Sequence, residues 1–248
     1  MKVAALYDIH GNLPALNAVL EDIRQADIDL IIVGGDVVLG PMSGECLDRL
    51  QALALPVQYI KGNCEAEVIS KMKGMPNSSL PETVLKNIAW TADQLSPAHL
   101  EFIDSWPEQL SLNILGVGEV LFCHATPRSL TEVFTRLSPK SKLDELFGSV
   151  QENVIICGHT HMQFQLNLNG KRVVNAGSVG MPFAPPGAYW LSLGPIVRHQ
   201  HTTYDFNEAA KIISTTNYPE AKQFAESNIL NPPSEKRMLS LLNRQEQK

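Results

Sequence analysis

An α/β fold is what the sequence predicts, on three observations. Short apolar runs of strand length alternate with segments of helical period. The N-terminal part follows the order strand, helix, strand, helix, strand. The apolar runs stop at polar side chains able to bind metal. A βαβαβ order is that of a mostly parallel sheet with helices packed outside it.

The elements follow in turn. KVAALYD is an apolar run halted by Asp8, the pattern of a buried first strand. LPALNAVLEDIRQA places Leu13, Leu16, Val19, Leu20 and Ile23 at helical spacing. Pro14 suits the first turn of that helix, where its missing N–H leaves no bond unmade. DLIIVGGDVV reads as a second strand ending in a glycine turn, SGECLDRLQAL as a second helix and PVQYIKGN as a third strand. From about Glu65 to Gln109 the character changes. LPETVLKNIAWTADQL and SPAHLEFIDSW both look helical, with Ser96 placed to cap and Pro97 to open the second. This is a helical insert, about residues 66–110. Strands resume at EVLFCH and NVIICGH. QFQLNLNGKRVVNAG alternates on both sides of Asn169-Gly170, a hairpin signal, and AYWLSL with PIVRHQHTTYD forms a terminal hairpin. The tail, about 207–248, is helical and polar, broken at Pro232-Pro233, and is expected to pack on the outside. Residues 1–248 read as a single domain carrying this insert and this tail.

A chain of 248 residues is ample for a buried core, and 44% hydrophobic with 19% charged residues is an ordinary globular balance. The net charge of −6 and the lack of a basic block argue against non-specific nucleic-acid binding. They leave a small anionic substrate open, because a bound cation reverses the local field. The opening MKVAALYDIHGN carries one lysine and an apolar run too short for a signal peptide. No stretch reaches membrane-spanning length. Cys46, Cys64, Cys123 and Cys157 are not spaced as pairs. The expectation is a cytoplasmic protein with reduced thiols and no membrane partner.

The polar residues collect where strands end. Asp8 and His10 follow the first strand, Asp36 the second and Asn63 the third. His124 ends VLFC, and His159 and His161 follow VIIC. A sheet sets such ends along one rim, which gathers carboxylates, imidazoles and an amide. Two divalent ions about 4 Å apart need a shared ligand, and a carboxylate can bridge them. Asp36 is assigned that place. Imidazole with carboxylate suits manganese first, or iron, zinc or nickel, better than calcium. A water between two cations is acidified to hydroxide and can attack phosphorus, while the cations neutralise charge on the phosphoryl oxygens. Gly34, Gly35, Gly62 and Gly158 are expected to allow the tight turns that bring the ligands inward.

In their order, DIHGN, GGDVV, GNCE, CHATP and GHTH resemble the calcineurin-like metallophosphoesterase superfamily. NAGSVGMPF resembles a loop of its small bacterial and archaeal phosphodiesterase branch. The resemblance runs from Lys2 to about Asp205. It implies a four-layer αββα sandwich with the helical insert added. It also implies one metal held by Asp8, His10, Asp36 and His161 and another by Asp36, Asn63, His124 and His159. The implied activity is dinuclear, metal-dependent hydrolysis of phosphodiesters or nucleotide phosphoanhydrides by a metal-bound hydroxide.

Cys64 departs from the family pattern, which often has histidine there to protonate the leaving oxygen or steady the phosphate. A thiol donates a proton less readily into a hydrogen bond. Cys64 is therefore a catalytic candidate or a passive replacement, and good leaving groups are expected to suit the enzyme best. Asn12 either orients its loop or touches substrate, with loop structure favoured. Arg128 either holds a substrate phosphate or makes a surface salt bridge. Ser178 lies in a loop that is either a structural turn or faces phosphate. Cys123 and Cys157 read as apolar filler, and Trp90 and Trp106 as core. The partner is a small phosphate ester or nucleotide. An oligomer is compatible, with NAGSVGMPFAPPG and the tail as candidate interface segments. A phosphoprotein phosphatase of the same chemistry, or a scaffold that has lost turnover, are the competing functions.

Overall fold

A computed structural model describes residues 1–75 and 77–246. The opening run is β1 (Val3–Leu6), α1 (Leu13–Gln25), β2 (Leu30–Val33), α2 (Ser43–Gln51) and β3 (Val57–Tyr59). The insert supplies α3 (Asn63–Met72), α4 (Glu82–Gln94) and α5 (Pro97–Asp104). Then come β4 (Gln109–Ile114), β5 (Gly118–Cys123), α6 (Lys140–Phe147), β6 (Val154–Cys157), β7 (Gln163–Leu168) and β8 (Lys171–Ala176). β9 (Ala188–Leu193), β10 (Arg198–Thr202), α7 (Phe206–Ser214), α8 (Ala221–Phe224) and α9 (Glu235–Glu246) complete the order, with a π-helical segment at Ala225–Leu230 before α9.

The expected mostly parallel sheet is two mixed sheets. β1, β2 and β3 are parallel, as predicted, but β9 adds antiparallel to β1 and β10 to β9, giving the order β10-β9-β1-β2-β3. The second sheet runs β4-β5-β6-β8-β7, with β5, β6 and β8 parallel and antiparallel strands at both edges. The local reason is the hairpins. Tight turns join antiparallel neighbours, so β7–β8 and β9–β10 each contribute an edge strand of the opposite sense.

Strand alternation then builds the layers. Val3 and Ala5 of β1 meet Ile32, Phe122, Ile156, Val174 and Leu191 between the sheets. Ala4 and Leu6 face the other way, onto Leu16, Leu20 and Leu47 of α1 and α2. On the far side, Ile155, Cys157 and Val173 pack against Leu143 and Phe147 of α6 and Leu239 of α9. The result is helix, sheet, sheet, helix: the four-layer sandwich of the calcineurin-like fold.

Three elements escape the sequence reading, the first being α3, which starts at Asn63 where the sequence predicts the end of the third strand. β4 is an edge strand whose inward residues are few, and α6 is short, with Leu143, Leu146 and Phe147 its buried face. The tail also departs from expectation. α9 does lie outside, but α7, α8 and the π-helical segment form an apolar cluster around Ile213, Tyr218, Phe224 and Ile229. That cluster packs on Trp90 of α4 and on Met42 and Met181. These buried residues sit at helical spacing among charged ones, so the tail has an inner face that its average polarity conceals.

Candidate metal centre

The strand ends put Asp8 and His10 after β1, Asp36 after β2, His124 after β5, and His159 and His161 after β6. Asn63 is the first residue of α3, behind Gly62 as its N-cap. Asp8, His10, Asp36, His159 and His161 all hold left-handed backbone, with φ of 55°, 47°, 55°, 66° and 55°. Such conformations cost non-glycine residues about 1 kcal/mol or more each and persist only where the surroundings impose them. Here the surroundings are backbone hydrogen bonds. Asp8 N–H donates to Gly35 O at 3.1 Å, His10 N–H to Asp36 O at 2.9 Å and Gly11 N–H to Val37 O at 2.9 Å. The glycines serve partly as expected. Gly35 has φ of +91°, but Gly62 is extended and serves close approach: a Cβ there would stand 2.2 Å from Asp36 Oδ1.

The side chains converge. His10 Nε2 lies 3.2 Å from His161 Nε2 and 3.8 Å from Asp36 Oδ2. His124 Nε2 is 3.5 Å from Asp36 Oδ2 and 3.9 Å from Asp8 Oδ1, and His161 Nε2 is 3.4 Å from Asp8 Oδ1. The side-chain amide of Asn63 stands 3.1 Å from His124 Nε2 and 3.0 Å from His159 Nδ1. Asp8, His10 and His161 form one group with ligand atoms within 4.8 Å of one another, and Asp36, His124 and His159 form a second.

The opposite edges of three rings fix what these atoms offer. His124 Nδ1 pairs with Gly34 O at 2.9 Å, His161 Nδ1 with Met181 O at 2.8 Å and His159 Nε2 with Thr131 O at 3.2 Å. A carbonyl only accepts, so each of those nitrogens carries the proton, and the inward nitrogen keeps its lone pair. Asn63 meets the lone pairs of His124 and His159 with its amide nitrogen once the amide is turned round, whereas Asp8 Oδ1 is buried with no hydrogen-bond partner. Imidazole lone pairs and carboxylate oxygens gathered within 4.8 Å of one another are what a cation would take as ligands. The donor set therefore fits metal ions with imidazole and carboxylate preferences.

Charge agrees with geometry. Burial acts to raise Asp8 and Asp36, but neighbouring imidazoles hold both below the usual carboxylate range. Burial, and then a neighbouring imidazole, pushes His10 and His159 down to about 4, leaving them neutral. Burial also acts to lower His124, but Asp36 and then Asp8 outweigh it and push that ring up to about 10, and the second proton this pull would place on Nε2 is the one a bound cation would displace. Two ionised carboxylates deep in the protein draw positive charge.

One residue of the site was not singled out in the sequence. Glu65 is fully buried, and its carboxylate accepts from the N–H groups of Asp36 at 2.8 Å, Val37 at 2.8 Å, Val38 at 3.2 Å and Gly62 at 2.8 Å. It ties the loop after β2 to the start of α3, so it holds Asp36 and Asn63 in register. Burial, and then Asp36, pushes its carboxyl up to about 7, against the pull of the N–H groups. A glutamate three residues after a helix N-cap is a capping signal, and GNCE carries it.

The remaining candidates sit as follows. Cys64 is buried, its N–H donates to Asp36 Oδ1 at 2.8 Å, and its thiol donates to Asp36 Oδ2 at 3.1 Å. Burial, then Asp36 and Glu65, pushes that thiol well above its ordinary pKa. Asn12 caps α1 through Ala15 N–H at 3.2 Å and donates to Gly180 O at 3.0 Å. Ser178 Oγ donates to Asp8 O at 2.7 Å and accepts from Met181 N–H at 2.8 Å. Both are buried and support loops. Arg128 makes the surface salt bridges: its guanidinium donates to Glu132 at 2.7 and 2.9 Å and to Glu145 at 2.8 Å. Cys123 and Cys157 are buried filler, Trp106 stacks on Tyr59, and Trp90 meets Tyr218 edge-on. Among the described residues, no helix is long and apolar enough to cross a membrane.

Comparison with known proteins gives the same reading. The calcineurin-like phosphoesterase superfamily domain matches residues 1–192. An uncharacterized protein of Methanocaldococcus jannaschii is 31% identical over 196 residues, which covers 73% of this chain and 76% of that protein. The phosphodiesterase YfcE of Escherichia coli is 32% identical over 94 residues, 34% of this chain and 51% of its own. A hypothetical protein from Pyrococcus horikoshii shares the fold with a TM-score of 0.80 at 20% identity, covering 94% of this chain and 99% of that one. A metallophosphoesterase from Sphaerobacter thermophilus does so with a TM-score of 0.70 at 23% identity, covering 92% and 99%.

Proposed function

The chain belongs to the calcineurin-like phosphoesterase superfamily, and from that premise we propose that it hydrolyses phosphodiesters at a dinuclear metal centre. Asp8, His10, Asp36 and His161 would hold one divalent ion, and Asp36, Asn63, His124 and His159 the other. The observation that carries this is the convergence of ligand atoms. Asp8, His10 and His161, and likewise Asp36, His124 and His159, bring ligand atoms within 4.8 Å of one another, three rings turn a lone pair inward, and Asp8 Oδ1 is buried without a partner. Manganese is the first candidate, with iron, zinc or nickel behind it.

When bound, such ions supply an acidified water and positive charge for the phosphoryl oxygens. The protein's own share is orientation and exclusion of bulk water. Gly34 O, Met181 O and Thr131 O hold three rings in the liganding tautomer. His159 N–H donates to Asp8 Oδ2 at 2.9 Å, which turns the other oxygen inward. Asp36 stands between the two groups, held by the Cys64 N–H and thiol. Asp8, Asp36 and His124 are buried, so their fields act through little solvent.

The test is hydrolysis after stripping metal and adding manganese back. Bis(p-nitrophenyl) phosphate, p-nitrophenyl phosphate, ATP and a dinucleoside polyphosphate are run side by side, with Asp36→Asn as control. The expected result is manganese-dependent turnover, fastest on the diester and lost in Asp36→Asn. Turnover that survives stripping, or that Asp36→Asn retains, would overturn the reading.

A further inference from the structure

Next to the metal ligands lies a cavity of about 340 Å³, walled by α4 on one side and by α8 with the π-helical segment on the other. His10 and Met181 are among its lining residues, so the cavity adjoins one of the proposed metal ligands. We propose that this cavity is the subsite for an uncharged part of the phosphodiester that carries hydrogen-bond donors, as a nucleoside or sugar does. The proposal rests on the phosphoesterase reading and narrows its substrate.

Three features support it. The first is an anchored acceptor. Asn87 Nδ2 donates to Glu220 Oε2 at 2.9 Å and both residues line the cavity, so that carboxylate is held at its wall. A ligand N–H or O–H there would meet a charged acceptor, which makes the stronger kind of hydrogen bond. The second is the sign of the charge. Glu220 is a carboxylate, and no lysine or arginine is among the lining residues. A second phosphate is unwelcome beside it, whereas hydroxyl and N–H groups find acceptors. This sets a nucleoside or sugar ester above a nucleotide polyphosphate. The third is the shape and chemistry of the walls. Tyr218 and Phe224 bring aromatic and Val84 aliphatic surface to the lining, and Ser227 and Asn228 add polar residues from the π-helical segment. Segments of that kind are rare and occur frequently at functional sites.

The wall also explains where the recognition would come from. The family match ends at residue 192, and Tyr218, Glu220, Phe224, Ser227 and Asn228 all lie beyond it. The chemistry is built by one part of the chain and the proposed selectivity by another.

The test compares two esters with the same leaving group, thymidine 5′-(p-nitrophenyl phosphate) and bis(p-nitrophenyl) phosphate. Their kcat/KM ratio is measured on the manganese-loaded 248-residue chain, on Glu220→Gln and on Asn87→Leu. Glu220→Gln keeps an acceptor for Asn87 and removes only the charge, so it guards against misfolding in the second variant. The ratio is expected to favour the thymidine ester in the parent and to fall about tenfold in each variant, the size of a lost charge-assisted hydrogen bond. A ratio within twofold of the parent's in both variants would overturn the subsite while leaving the phosphoesterase reading intact. If neither ester is turned over, the phosphoesterase reading fails, and calorimetry with thymidine alone decides the subsite. Binding weakened about tenfold in Glu220→Gln upholds it; equal binding, or none in the parent, rejects it.

Discussion

The metal rim and the wall of α4, α8 and the π-helical segment stand side by side at His10, yet they are made differently. At the rim, Asp8, His10, Asp36, His159 and His161 are forced into left-handed backbone, and Glu65 satisfies four N–H groups at once. Asp8, His10 and the rings of His124, His159 and His161 are each fixed by hydrogen bonds to the main chain. The wall is held by packing of Tyr218 and Phe224 against Trp90 and its neighbours and by the Asn87–Glu220 bond. Packing of this kind tolerates substitution better than a saturated hydrogen-bond network does. The difference teaches where a phosphoesterase can change: its chemistry is tied to backbone geometry, its selectivity to side chains that can be exchanged.

Variants that hit the rim should therefore do the most damage. Asp36→Asn is expected to lower manganese-dependent turnover more than a hundredfold, beyond the roughly 10–100-fold typical of a residue behind the ligands. Bound manganese, measured by elemental analysis, should fall with it. Glu65→Ala strips the acceptor from the N–H groups of Asp36, Val37, Val38 and Gly62. It is expected to cost about 4 kcal/mol. At roughly 2–4 °C per kcal/mol for a chain of this size, the melting temperature should drop by about 8–16 °C. Melting at the parent temperature would show that the loop after β2 is held by something other than Glu65.

The wall gives the contrasting result. Phe224 is buried in the tail cluster, and Phe224→Ala is expected to destabilise by about 3 kcal/mol, at the low end for a buried aromatic. Manganese content should stay at the parent value while KM for the thymidine ester rises. A variant that loses metal as well would break the separation between the two regions, because the wall would then be supporting the rim.

The same contrast decides what the sequence made legible. Rim residues follow strand ends, and a strand end is marked by a short apolar run that stops at a polar side chain. DIHGN, GGDVV and GHTH could thus be placed on one edge before any coordinates. Glu65 carried a local signal too, three residues after Gly62, but its partners in the loop after β2 are remote in sequence and nothing local names them. The wall was hidden for a stronger reason. Asn87 and Glu220 lie 133 residues apart and meet only because α7 and α8 fold back across the rim. Mean polarity of the tail suggested an outer layer, whereas its packing face consists of a few residues such as Ile213, Phe224 and Ile229. The antiparallel edges of the two sheets were likewise set by pairing between distant strands, which a local pattern does not specify.

Cys64 gives the sharpest comparison, because it belongs to the rim by position and was a candidate for the leaving group by family pattern. Its thiol is directed at Asp36 Oδ2, 3.1 Å away, and its N–H at Asp36 Oδ1. A thiol engaged there orients a carboxylate. A thiol that protonated the leaving oxygen would have to turn away from it. Cys64→Ala separates the two roles. Loss of a proton donor slows esters with basic alkoxide leaving groups far more than nitrophenyl esters, which leave unaided. Loss of a hold on Asp36 slows both alike and weakens metal binding. The geometry predicts the second pattern: a fall of about tenfold or less on both substrates, with a matching rise in the manganese dissociation constant, since the thiol is a weak donor and the Cys64 N–H remains. Cys64→Ser, which keeps a hydroxyl donor, should recover part of it. A selective loss on the alkyl ester, with manganese affinity unchanged, would return Cys64 to the leaving group.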